Sequence, residues 1–221
     1  MAAPNSPTPQ PTAENGSENA AYELFSAGDR DPTALELKYA AVQELAVLEP
    51  ADRSDERRKK QAGNRINETV DNYLDDDRVE SPAVFEGDAA AASHLASLSD
   101  ADPHGVNQTT WLLAKANART ANVSITDVKR ALERFDDDLD DPGHRNAIES
   151  HLRNAERAYE RGENALERDG SVKRTAKDRA RAIRQFMTAW RQSQQALDTI
   201  QREDDPAGHH HDARRSTSER Q

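Results

Sequence analysis

Apolar residues in the last third of the chain return at steps of three and four: Ile148, Leu152, Ala155, Tyr159, Gly162 and Leu166, then, beyond Asp169-Gly170, Ala176, Ala180, Ile183, Met187, Trp190, Gln194 and Leu197. That period places each set along one stripe of an α-helix. It predicts two amphipathic helices, near 146–168 and 172–202, folded back on each other through a short turn. A turn centred near Ser171 sets a register with Tyr159 opposite Ile183, Gly162 opposite Ala180 and Leu152 opposite Trp190, and Gly162 at the closest approach.

The same period recurs upstream. Asp31-Pro32, an N-cap followed by a proline, opens a helix near 32–48 carrying Leu35, Tyr39, Val42, Leu45 and Leu48. A second, near 54–74, carries Ala62, Ile66, Val70 and Tyr73 and runs out at Asp75-Asp76-Asp77. Ser81-Pro82 opens a third near 82–99, with Phe85, Ala89, Ala92, Leu95 and Ala96, and Asp102-Pro103 stops it. A fourth, near 105–121, carries Trp111, Leu112, Leu113 and Ala116. Ser124-Ile-Thr-Asp127 reads as a capping box opening a fifth, near 125–139, which Pro142-Gly143 ends. Alternating apolar and polar runs are missing, so no strand is predicted. The expectation is an all-α domain over 29–203, about seven helices packed as antiparallel hairpins in a bundle. A Pro/Ser/Thr/Asn-rich leader, 1–28, and a His- and Arg-containing tail, 204–221, flank it and are expected to be disordered.

Composition thins this core. Leu, Ile, Val and Phe make up only 33 of 221 residues, so the helices must meet largely through alanine. The net charge of -11 argues against nucleic acid as a partner, and no stretch approaches the roughly 18 apolar residues of a membrane span. Cysteine is absent, which removes disulfides, thiol nucleophiles and Cys-ligated metals. Arg outnumbers Lys 23 to 7 and Asp outnumbers Glu 23 to 18. An Asp-rich, Lys-poor surface stays hydrated in concentrated salt and resembles proteins of haloarchaea; a GC-rich genome is the other source of such a composition.

Three sets of residues invite chemistry. Asp138, Asp140, Asn146 and Glu149 stand at positions one, three, nine and twelve around Gly143 at six, and resemble an EF-hand calcium loop. Pro142 at position five and Arg145 at eight depart from that pattern, and Asn146 with Glu149 also reads as a helix capping box. Lys173, Arg174, Lys177, Arg181, Arg184 and Arg191 form a basic stretch suited to an acidic partner; the alternative is a solvated face paired with the chain's own acids at 136–141. Asn67, Asn107 and Asn122 head N-x-S/T sequons, as does Asn15. The run His209-His210-His211 would bind a transition metal in vitro, whereas metalloprotease, di-iron and phosphate-loop spacings are absent.

The run from Asn154 to Leu197, and Val79 to Leu95 with Phe85 and its alanine-rich helix, are similar to helical segments of uncharacterised exported haloarchaeal proteins. The resemblance covers about half the chain and implies a secreted or surface setting with no known catalytic residue. The N-terminus lacks the charged start and apolar run of a signal peptide, which favours a cytoplasmic setting or a longer precursor. The sequence therefore points to a noncatalytic structural or protein-interaction domain, without cofactor, of a halophilic protein. A calcium- or salt-responsive module at 138–149 and a cytoplasmic adaptor that binds an acidic partner through the last helix are the alternatives.

Overall fold

The computed structural model describes residues 30–98, 100, 102–135, 142–168 and 170–204. The chain divides into two units, Met1–Pro32 and Thr33–Gln221. Of the first unit only residues 30–32 are described, and the expected leader, 1–28, and the tail beyond 204 lie outside the described residues. Everything below concerns the second unit.

Thr33 begins it. Its hydroxyl accepts from the Glu36 N–H at 3.3 Å while the Glu36 carboxylate accepts from the Thr33 N–H at 2.9 Å, a reciprocal cap that opens α1 (Ala34–Val47). The cap is thus Thr33, two residues after the expected Asp31. Asp52 caps α2 (Arg53–Val70) by accepting from the N–H groups of Ser54 and Asp55 at 2.7 and 2.8 Å. Lys59, on α2, donates to the carbonyls of Ala46 and Leu48 and so satisfies the open C-terminal end of α1.

Helix α2 stops four residues short of the expected end, and the acidic run after it folds into a turn. The Asp75 carboxylate accepts from the N–H groups of Asp77 and Arg78 at 2.9 and 2.8 Å, and Tyr73 and Val79 form an isolated antiparallel bridge. Those backbone hydrogen bonds, the Asp77 one first, hold Asp75 below the usual carboxylate pKa. Asp77 accepts from the Ala34 N–H at 2.8 Å, placing a carboxylate at the positive end of α1. It also pairs with Arg119 at 3.3 Å, and Arg78 bridges Asp75 to Asp127 at 2.9 Å each.

After α3 (Ala83–Leu95), Asp102 caps α4 (Pro103–Phe135) by accepting from the Gly105 N–H at 2.9 Å, so Asp102-Pro103 starts a helix there. α4 runs unbroken for 33 residues and merges the two helices expected at 105–121 and 125–139. No glycine or proline interrupts the segment, and the buried stripe Leu113, Asn117, Ala121, Ser124 and Val128 passes through the supposed capping box. Ser124 instead accepts from Gln194 at 3.0 Å, and Asp127 is engaged by Arg78. The described residues therefore form six helices rather than seven, all α apart from the single bridge.

The hairpin closes the chain with α5 (Pro142–Leu166) and α6 (Val172–Asp204). α6 is the spine, lying against α5, α4 and α3, while α1 packs on α4 and α2 on α3. Its buried stripe is mostly small: Ala176, Ala180, Ala189 and Ala196 alternate with Ile183, Phe186 and Ile200. The expected register is displaced. Tyr159 meets Phe186, ring centroids 5.4 Å apart, and Gly162 lies under the same ring, where an added β-carbon would collide with it. Trp190, expected opposite Leu152, meets Phe85 of α3, with ring centroids 5.9 Å apart and planes tilted by 41°. Leu152 joins Val128, Ile148, Ala196 and Ile200 at the far end of the bundle.

Candidate anion-binding face of the last helix

Because one stripe of α6 is buried, its other residues must face solvent. Lys173, Arg174, Lys177, Arg181, Arg184 and Arg191 are all exposed. Arg174 approaches Asp178 at 3.8 Å and Arg191 pairs with Glu86 of α3 at 2.8 Å. Among the described residues, Lys173, Lys177, Arg181 and Arg184 have no carboxylate within ion-pair distance. The acids at 136–141 lie outside the described residues. Arg179, from the same stretch, points inward instead and donates to the backbone carbonyl and side chain of Asn107 and to Thr110, which fastens α6 to α4.

Beside this row the hairpin leaves a groove of about 470 Å³, lined by Arg161, Asn164, Ala165 and Arg168 on one side and Arg181 and Gln185 on the other. Arg161 stands on α5, and Arg168 lies two residues beyond the end of that helix at Leu166. Arg161 donates through Nε to Oε1 of Gln185 at 3.1 Å, which fixes that amide and leaves its NH2 as a donor. Among the described residues no carboxylate lines the groove; Glu163, on α5, faces Lys115 of α4 at 4.0 Å. Burial first and then Glu163 push the Tyr159 hydroxyl up to about 12. The sequence reading named Arg181 but missed Arg161 and Arg168, since only the folded hairpin sets them opposite it.

Of the calcium-loop residues, Asp138 and Asp140 lie outside the described residues. Asn146 and Glu149 sit on α5, which begins at Pro142, loop position five, so residues 142–149 are helical and do not form the open second half of a twelve-residue loop. Asn146 is inside the helix and so caps nothing, and Glu149 accepts from Arg153 at 3.2 Å. Among the described residues no three His, Asp or Glu side chains are grouped to hold a metal ion. The three sequon asparagines lie within helices: Asn67 and Asn122 are exposed, while Asn107 holds Arg179 and the hydroxyl of its sequon, Thr109, is fully buried. Asn15 and the histidine run lie outside the described residues.

The most concentrated polar chemistry is elsewhere. Lys38 of α1 and Asp88 of α3 are both fully buried, Nζ to Oδ2 3.0 Å. Lys38 also donates to the Thr69 hydroxyl of α2, which in turn contacts the Ile66 carbonyl and Asp88 at 2.7 and 3.0 Å. Asn117 of α4 donates to Asp88 at 2.7 Å, and the Tyr73 ring lies 5.1 Å from the ammonium. Burial pulls Lys38 below the ordinary lysine range, with Asp88 opposing it, and burial then Asp88 drive the Tyr73 hydroxyl upward. Gly87 lets α3 come close enough, for a β-carbon there would strike Thr69. With Lys38 and Asp88 both shut from solvent, this cluster joins four helices.

Comparison with protein-family models, with curated proteins and with solved structures gives no match to this chain. No helix among the described residues is long and apolar enough to cross a membrane.

Proposed function

We propose that the chain is a noncatalytic helical interaction module, of a halophilic and exported protein, that holds an acidic protein partner on the outer face of α6. The observation that carries this reading is the row Lys173, Lys177, Arg181 and Arg184, exposed and without carboxylate partners among the described residues, in a protein of net charge -11. An acidic surface repels acidic partners in general, so a cationic row left open on it is a local attractor with orientation. Lys173, Lys177 and Arg181 recur every fourth residue, about 6 Å along the helix. Alternate residues of an extended peptide repeat at roughly 6.7 Å, so acidic side chains on one face of such a strand can follow the row. The full burial of Lys38 and Asp88 supports the noncatalytic part of the reading.

The test is fluorescence anisotropy with a labelled peptide of alternating Glu and Ser. The full chain is expected to bind it, and the combined reversal Lys173→Glu, Lys177→Glu and Arg184→Glu to weaken binding by at least about tenfold. A control reversal on α4, Arg130→Glu, is expected to leave it unchanged. Equal affinity of the triple variant and the parent would sink the proposal.

A further inference from the structure

We infer that the groove between α5 and α6 is a subsite for a doubly charged oxyanion, the phosphoryl group of a phosphorylated acidic peptide; this rests on reading the α6 face as the docking surface for such a chain. The outer row offers single charges in sequence, whereas Arg161, Arg168 and Arg181 converge on one groove. A carboxylate brings one charge and two oxygens, and would leave most of that positive charge uncompensated. A phosphoryl monoester brings a charge near -2 and three acceptor oxygens, and guanidinium forks engage such oxygens in pairs.

The amides complete the set. Gln185 gives its oxygen to Arg161 and keeps its NH2 to donate, and Asn164 stands beside it on the lining. Among the described residues no carboxylate lines the groove, and Glu163 and Asp178 face Lys115 and Arg174. At about 470 Å³ it has room for a phosphoryl group together with the side chain that carries it. Arg181 belongs to both the row and the groove, which places the phosphorylated residue directly beside the acidic run of the bound peptide.

The experiment compares three labelled peptides on the full chain: alternating Glu and Ser, the same with its central Glu replaced by phosphoserine, and the same with that Glu replaced by Ser. The phosphopeptide is expected to bind at least about tenfold more tightly than either of the others. The variant Arg161→Gln/Arg168→Gln, with helical content checked by circular dichroism, is expected to lose that preference yet still bind the unphosphorylated peptide. Equal affinity for all three peptides, with binding still lost in the Lys173, Lys177 and Arg184 reversal, overturns the groove assignment and leaves the α6 face standing. No binding of any peptide overturns both. Displacement of the phosphopeptide by inorganic phosphate as effectively as by unlabelled phosphopeptide would mark a free-phosphate site and overturn the peptide assignment.

Discussion

Lys38 and Asp88 occupy positions at which their helices are otherwise apolar: Lys38 follows Leu37 and lies one turn before Ala41 and two before Leu45, and Asp88 falls between Phe85 and Ala92. A charge in the apolar phase of a helix is a legible signal, and a reading of the apolar residues alone passes over it. The partner is not legible, because 50 residues separate the two and only the docking of α3 on α1, α2 and α4 unites them. Removing one member leaves a buried charge without its counterion, so Lys38→Met or Asp88→Leu is expected to cost about 3 to 5 kcal/mol. The double replacement Lys38→Met/Asp88→Leu is expected to recover most of that loss, since an apolar pair of similar volume carries no desolvation cost. Urea unfolding of the parent, Lys38→Met, Asp88→Leu and the double variant gives the coupling energy, and additive losses would show that the two residues do not act as a pair.

Among the elements, Gly162 shows what period alone can and cannot say. The apolar spacing put Gly162 in the hairpin seam as its point of closest approach, and a close approach is found there. The neighbour is Phe186 and not Ala180, because a flat ring slides over a missing side chain where a methyl group would leave a gap. Replacing Gly162 by Ala raises intrinsic helix propensity by about 1 kcal/mol. The ring contact opposes that gain, and the substitution is expected to destabilise the protein by about 1 to 3 kcal/mol. Phe186→Leu should cost less in the Gly162→Ala background than in the parent; unchanged stability of Gly162→Ala would refute the seam. The fusion of two expected helices into α4 has a related cause: Ser124 and Asp127 have the chemistry of a capping box, but Gln194 and Arg78 engage them across the bundle. Local chemistry offered two uses for these residues, and packing selected the one it could not announce.

At the scale of the molecule, a thin alanine-rich core carries a net charge of -11, so self-repulsion opposes compaction in dilute buffer. Salt should therefore act in opposite directions on the two properties. Raising sodium chloride from about 0.01 to about 1 M shortens the Debye length from roughly 30 to roughly 3 Å. The thermal midpoint is expected to rise by several degrees over that range while affinity for the acidic peptide falls; scanning calorimetry and anisotropy on one preparation check both, and a midpoint that drops with salt would contradict the charge argument. The basic stretch was legible because its residues share the exposed phase of a single helix, whereas the groove needed a second helix to complete it. Continuity of α4 has one more consequence, for the chain lengths this fold accepts. One rod holds Asn117 in the buried ion cluster and Val128 in the apolar cluster at the other end. A residue inserted between them would rotate one end by about 100° against the other and withdraw one of the two from its partners. Insertions are expected to be tolerated in a connection such as 48–52 and not within α4, which acts as the fixed ruler against which the other helices are measured.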